Sequence, residues 1–490
     1  VHARVKALLP AMLVPPALAA ALLVLFRGDG FPNYDTEYAL LWGRDIARLD
    51  PIDTGAFLSP TPHPLANLAG ALLAPLDLGV ATQPYGTTAE SIVTALAFLW
   101  LGVLGYLVYR LGERWAGPAA GILAAAIVLT REPVLSFGVR AYVDIPFVCL
   151  VLAAILRETR RPRDGAGVLV LLALAGLIRP EAWLLAAGYL VYLWWPQRWE
   201  TPRLALLVVL AAAGPVLWAL HDLLLVGDPL YSLTGTQDNA EVLQRRRGFA
   251  DLPLYGPRRL GEIAREPVLL GAALGLGLAV LRLRAVHAVR VGLASLLAAA
   301  VAFGLLAGAG LPIITRYLLL TSVLLALFAA VALVGVTRLP AGDRLRRPAY
   351  AGAVATATLF VAFGPGQVDR IDRLRAAITT QTQILADLRS LTEPRGSDPA
   401  PITRGCGVAV PNQRAVPQLA LWLDAPPSRI VVTQRAGVPP RGGYVVPASA
   451  DVARRFVLDP RDERKAIPRP PADADNVARN GSWSVSRRCP

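Results

Sequence analysis

The chain has 490 residues, of which 54% are hydrophobic and only 17% charged. Soluble domains carry charge on about 25% of residues, so this composition excludes an ordinary soluble enzyme. The formal net charge of +14 raises nucleic acid as a partner, but the basic residues sit mostly in short connections between apolar runs. There they act under the positive-inside rule, and no nucleic-acid partner is expected.

The fold class read from this pattern is a polytopic α-helical membrane protein. Apolar runs of about 14 to 22 residues give about eleven transmembrane helices, at 7–26, 91–109, 116–135, 145–157, 165–178, 182–195, 204–226, 268–283, 291–311, 317–337 and 349–363. The first run lacks a small-residue cleavage site and is read as a span, not a signal peptide. With Arg4 and Lys6 placing the N-terminus in the cytoplasm, the connections 110–115, 157–165, 196–203, 282–290 and 338–348 fall inside, and all are short and basic. The connections 27–90, 136–144, 179–181, 227–267 and 312–316 fall outside. Two lysines (Lys6 and Lys465) against many arginines, with abundant Ala, Gly and Pro, point to a GC-rich bacterial genome.

The first external loop, 27–90, is net acidic. Within it, 33–50 reads as an amphipathic helix opened by Asp35 and Glu37. Tyr38, Trp42, Ile46 and Leu49 lie on one face, and Arg44, Asp45 and Arg48 turn away. The long external loop 227–267 breaks the charge rule by carrying six arginines, Arg246, Arg247, Arg258 and Arg259 among them.

Eleven spans leave the C-terminus outside. A transmembrane domain of 1–363 is followed by an amphipathic helical connector (364–400) and a small extracytoplasmic α/β domain (401–490). The domain has strand-like stretches at GVAVP, RIVVT, GYVVP and WSVSR and a helix near 415–423. Cys406 and Cys489 suit an oxidising exterior and are expected to form a disulfide; Cys149 lies in an apolar run and reads as a core residue. The Pro- and Arg-rich stretch 459–471 reads as a surface excursion.

Several chemistries lack their signatures. There is no GxxxxGK[ST] phosphate loop, no Cys/His cluster of zinc spacing, and no ionisable chain crossing the spans. A DxD triplet at Asp473 and Asp475 is read as chance. The polar groups gather instead at the outer side: Asp35, Glu37, His63, Arg140, Asp144, Arg179, Glu181, the arginines of 227–267, and Arg316. Several arginines converging at a membrane surface suit an anionic, phosphate-bearing ligand.

These residues carry a resemblance. Asp35-Thr36-Glu37-Tyr38, Pro62-His63-Pro64-Leu65, Arg140 to Leu150 (RAYVDIPFVCL), the stretch GDPLYSL at 227–233 and Thr315-Arg316-Tyr317-Leu318-Leu319 follow the order of motifs in GT-C membrane glycosyltransferases. The chain most resembles the protein O-mannosyltransferase and aminoarabinose-transferase branch, over about residues 1–340. It departs from that pattern in separating the two acids by Thr36 and in lacking the second proline of the His-Pro motif.

The resemblance implies a glycosyltransferase of the cytoplasmic membrane. It would move a sugar from a polyprenyl-phosphate donor to an acceptor hydroxyl on a glycan, lipid or protein, with inversion, at the outer face of the bilayer. Asp35 is then the base, with Glu37 as its substitute or helper. Arg246, Arg247, Arg258, Arg259 and Arg316, then Arg140 and Arg179, are the candidates for the donor phosphate; His63, Tyr38 and Tyr317 come with the motifs. Asp144 and Glu181 read as structural partners of those arginines. A divalent cation (Mg or Mn) on Asp35 and Glu37 stays open, as do two other classes, a transporter of a lipid-linked sugar and a non-catalytic envelope scaffold.

Overall fold

The computed structural model describes residues 2–77, 87–195, 201–394, 399–457 and 467–489. The connection 196–203 and the stretch 459–471 lie largely outside these. The helices that concern the site are α1 (His2–Leu25), α2 (Tyr34–Ala47), α3 (Pro64–Leu73), α4 (Thr87–Ala116), α5 (Pro118–Leu129), α6 (Glu132–Val139), α7 (Asp144–Arg160), α8 (Ala166–Gly176) and α9 (Glu181–Trp194). They continue with α10 (Thr201–Val226), α11 (Tyr231–Val242), α12 (Leu252–Leu278), α13 (His287–Gly308), α14 (Leu319–Val334), α15 (Arg346–Arg389) and α16 (Val416–Trp422).

Among the described residues, six helices are long and apolar enough to cross a membrane, or seven if the bent pair α5–α6 is one span. This is a multi-pass membrane protein, but eleven full spans are not found. The runs at 145–157, 165–178 and 182–195 form helices of 17, 11 and 14 residues, below the roughly 20 that a bilayer needs. The run at 116–135 is interrupted at Thr130–Arg131 and bends by 68°. The run at 349–363 continues unbroken into the polar stretch beyond it, because α15 extends over 44 residues with only Pro365 inside.

The described chain forms two compact units. One consists of Val1–Gly28, Leu96–Leu220 and Gln244–Leu374. Its centre is α14, whose residues Leu319 to Ala332 are all buried. Helix α12 packs on it through small residues at four-residue spacing: a methyl group at Gly275 would run into the Phe328 carbonyl, and one at Gly271 would press on Ala329. Backbones approach this closely only where side chains are missing.

The other unit consists of Asp29–Ala95, His221–Leu243 and Arg375–Pro490. Its sheet has five strands in the order β2-β1-β3-β5-β4, with β1 (Val408–Val410), β2 (Ile430–Val432), β3 (Gly442–Pro447), β4 (Asp475–Arg479) and β5 (Trp483–Arg488). β1 runs parallel to β2 and β3, and β5 antiparallel to β3 and β4. Parallel neighbours require a crossover, which α16 supplies between β1 and β2. Four of the five strands fall on the predicted stretches; β4 is the addition, and its Asp475 and the Asp473–Arg488 ion pair (2.8 Å) absorb the DxD triplet into sheet structure. Cys406 and Cys489 are joined by a disulfide with Cα atoms 5.7 Å apart and 83 residues of separation; closing such a loop stabilises by about 4 kcal/mol in the chain-entropy picture.

The core of this unit is shared. Tyr38, Leu40, Leu41 and Trp42 of α2 belong to one hydrophobic cluster with Leu388, Val410, Leu419, Val445 and Trp483. The C-terminal domain and the first-loop helix therefore fold as one body.

Candidate active site

Helix α2 begins where the sequence places it. Asn33 caps it by accepting from the Asp35 backbone N–H at 2.9 Å, and Asp35 and Glu37 occupy the first turn, where the helix dipole favours negative charge. Two features of the predicted amphipathic face are corrected. Arg44 and Asp45 are buried, at 4% and 7% exposure, whereas Leu49 is 93% exposed. Arg44 turns inward because Asp45 (2.7 Å) and Asp424 (2.9 Å) neutralise it there, and Asp424 also accepts from Arg48 at 2.7 Å. Leu49 lies beyond the helix in a left-handed turn.

The two first-turn carboxylates differ in environment. Asp35 is half-buried, whereas Glu37 is 1% exposed. Two residues apart on a helix places them about 200° apart around its axis. Glu37 meets Glu90 at the start of α4; Glu90 accepts from Trp422 Nε1 (3.0 Å) and from Arg389 Nη1 (3.3 Å). Burial first, and the Glu90 carboxylate next, push Glu37 well above the ordinary carboxylate range against the pull of Arg389. Glu37 thus holds its proton more firmly than an ordinary carboxylate, within a buried pair. Among the described residues no three His, Cys, Asp or Glu gather as metal ligands. Asp35 and Glu37 also point apart, so they do not fit a shared divalent cation.

A group whose folded pKa is raised contributes stability fully below its unfolded pKa of about 4.3, and loses it as pH rises toward the folded value. Glu37→Gln keeps the shape and supplies a permanent donor to Glu90. Thermal unfolding of native and Glu37→Gln protein between pH 5 and 9 is expected to show a gap that widens with pH in favour of the variant. The slope difference is at most about 1.4 kcal/mol per pH unit; parallel curves would remove Glu37 from this role.

Tyr38 is fully buried in the core, edge-on to Tyr34 (5.1 Å) and tilted against Trp42 (5.0 Å). His63 is half-buried at the N-cap of α3, with Pro64 opening that helix. Helix α3 crosses α2 closely: a methyl group at Gly70 would strike the Ala39 carbonyl.

The arginines divide. Arg140, Arg179 and Arg316 come together at the ends of apolar helices. Arg179 Nη2 lies 2.5 Å from Asp144 Oδ1, both nearly fully buried. The Arg179 guanidinium covers the Tyr317 ring at 4.6 Å, and Arg316 lies over Tyr317 (5.7 Å) and Tyr142 (5.8 Å). Arg140 stands over the other reach of Tyr142 at 5.1 Å and donates to Ser136 Oγ at 2.8 Å. Glu181 is within electrostatic reach of Arg179 and Arg316. Tyr142 was not singled out from sequence, although it lies in the quoted 140–150 motif.

The long basic stretch is mostly helical. Arg258 and Arg259 lie on α12, and Arg259 pairs with Glu262 at 2.7 Å. Glu262 also accepts from Thr315 Oγ1 at 2.6 Å. The Arg246 carbonyl accepts from the Ile313 N–H at 2.8 Å, its guanidinium covers Tyr255 at 5.2 Å, and Arg247 bridges Pro312. These residues brace the 312–318 segment that presents Arg316 and Tyr317.

Residues 80–218 match the family described as dolichyl-phosphate-mannose-protein mannosyltransferase. Among solved structures, the crystal structure of ArnT from Cupriavidus metallidurans bound to undecaprenyl phosphate is similar over 97% of both chains, with 14% identity and a TM-score of 0.52. The chain has the fold of the GT-C membrane glycosyltransferases. The Archaeoglobus fulgidus oligosaccharyltransferase in the apo form aligns over 89% of this chain and 69% of its own (12% identity, TM-score 0.46). The AglB oligosaccharyltransferase of the same organism, in complex with an inhibitory peptide and a dolichol-phosphate, aligns over 85% and 64% (11% identity, TM-score 0.45). No curated protein sequence matches the chain. Within the GT-C fold, the family match takes in Arg140, Tyr142, Asp144, Arg179 and Glu181 but not Asp35 or Arg316.

Proposed function

We propose that this GT-C protein is an inverting glycosyltransferase that uses a polyprenyl-phosphate sugar at the outer face of the cytoplasmic membrane. The observation that carries the reading is the convergence of Arg140, Arg179 and Arg316 on Tyr142 and Tyr317. Asp144 and Glu181 lie among these guanidinium groups, and several arginine forks gathered in one place suit a phosphate. The family match over 80–218 and the ArnT likeness support it, and the undecaprenyl phosphate bound by that relative suggests the donor class.

In this reading the acceptor hydroxyl oxygen attacks the anomeric carbon from the face opposite the phosphate. The carbon–oxygen bond to phosphate breaks, its electron pair leaves on the lipid phosphate, and the hydroxyl proton passes to Asp35. Arg179 and Arg316 stabilise the charge growing on the departing phosphate. Tyr142 and Tyr317 keep those guanidinium planes oriented by stacking. Glu37 has no step of its own.

The test uses full-length protein in lipid nanodiscs, a panel of labelled polyprenyl-phosphate sugars and an envelope extract as acceptor. Loss of one donor with label appearing in the acceptor fraction is expected. A donor carried across sealed vesicles without release of its sugar would instead identify a transporter.

A further inference from the structure

A second cluster of arginines shares no residue with the Arg179–Arg316 group. Arg131 sits in the break between α5 and α6 and is 8% exposed. Its side-chain hydrogen bond among the described residues goes from Nε to the Ile127 carbonyl at 3.3 Å. With Val128 and Val134 it lines a small, mostly apolar pocket between α12 (Ile263, Ala264, Val268) and α14 (Ser322, Val323, Ala326). Immediately after Ala264, α12 itself breaks: Arg265 adopts φ 63°, ψ 170°, followed closely by Pro267. Helix α15 closes the place from another side, since Gln367 Nε2 donates to the Thr130 carbonyl at 2.6 Å. Two broken helices and α15 thus bring Arg265 and Arg370 within electrostatic reach of Arg131.

The charges do not balance. Glu132 faces Arg140, Arg265, Arg370 and Arg373, and it is the acid these arginines share. The other acids near them in sequence, Glu266, Asp369 and Asp372, are exposed. None of Arg131, Arg265, Arg370 and Arg373 has a carboxylate partner within 4 Å among the described residues. An arginine buried beside two others, without its own carboxylate, is unfavourable unless an anion joins it. A snorkelling arginine would reach outward to water; Arg131 is instead enclosed by protein.

We propose that Arg131, Arg265 and Arg370, with Arg373 at the rim, bind the phosphate of a membrane lipid at a site distinct from the Arg179–Arg316 group. Tetrahedral phosphate accepts from several guanidinium forks at once. The lipid source follows from depth. Helix α15 is apolar over 349–363 and turns polar at Gln367, so Gln367 to Arg373 lie where hydrocarbon gives way to headgroups.

The experiment is native mass spectrometry of full-length, delipidated protein in neutral detergent. It is titrated with phosphatidic acid, with diacylglycerol of the same chains, and with inorganic phosphate. Native protein is expected to hold phosphatidic acid at least tenfold more tightly than either control. Arg131→Gln and Arg370→Gln should each weaken one bound lipid by about ten- to hundredfold, as loss of a charge-assisted contact does. Arg370 is half-buried on the outside of α15, so its variant reads the site even if Arg131→Gln does not fold. Undiminished binding by folded Arg370→Gln overturns the site. Inorganic phosphate binding as tightly as the lipid overturns the lipid assignment. One bound lipid, lost in Arg131→Gln or Arg370→Gln but kept in Arg316→Gln, upholds this site and separates it from the Arg179–Arg316 group.

Discussion

Asp35→Asn is expected to lower sugar transfer by about 10²- to 10⁴-fold, the span that a positioned general base contributes, while donor binding stays close to native. The substitution is isosteric, and the cap depends on the Asp35 backbone N–H, which Asn33 continues to hold; α2 therefore keeps its start. Asp35 is chosen over Glu37 on environment. Asp35 is half-buried in the first turn, at the end of the helix where the dipole favours a negative charge. Glu37 is enclosed, its carboxyl is pushed up by burial, and it faces Glu90, which is itself bound by Arg389 and Trp422. In the nanodisc assay Glu37→Gln should therefore turn over donor at near the native rate. Native turnover in Asp35→Asn, or a loss confined to Glu37→Gln, would reverse the assignment.

The split between those two acids marks the limit of what the sequence made legible. Hydropathy is a one-dimensional signal, and it located the apolar helices and four of the five strands well. The acidic motif and the late Arg-Tyr pair pointed to the GT-C fold before any geometry. What stayed hidden depends on partners distant in the chain. Arg44 looked solvated because Asp424, which neutralises it, lies in the C-terminal domain. Glu37 looked like a second site acid because Glu90 and Arg389 come from other helices. Arg131 and Glu132 were read through as the end of one span, since a hydropathy window does not see a 68° bend. The six arginines of 227–267 were read as part of a long basic external loop. Helical periodicity with Pro257 and Pro267 in it is a weak signal, and the ties to Glu262 and Ile313 are tertiary.

The C-terminal domain is joined to the helix that carries Asp35, the proposed base. Arg44 and Arg48 of α2 meet Asp424, Trp42 Nε1 donates to the Asp53 carbonyl, and Asp53 accepts from the Ser428 N–H. With the shared core, these contacts hold α2 on both its faces. A helix so enclosed cannot slide on a membrane surface as a free amphipathic segment would. Its first turn, with Asp35, is held by the folded domain.

Arg179 carries the other large effect. Arg179→Ala is expected to destabilise the protein by about 3–5 kcal/mol, because it leaves Asp144, 1% exposed, as an unpaired buried charge. Loss of transfer in that variant alone would therefore say nothing about catalysis. The decisive variant is the double substitution Arg179→Met with Asp144→Leu, which removes both charges at similar volume; such replacements of buried pairs are often neutral or stabilising. Its thermal unfolding in detergent should return to within a few degrees of native. Its donor turnover should stay down by about 10²- to 10³-fold, the usual cost of losing a group that stabilises transition-state charge. Arg316 would remain over Tyr142, so weak donor binding should survive. If the double variant regains both stability and turnover, Arg179 serves only to neutralise Asp144. The phosphate would then fall to Arg316 and Arg140.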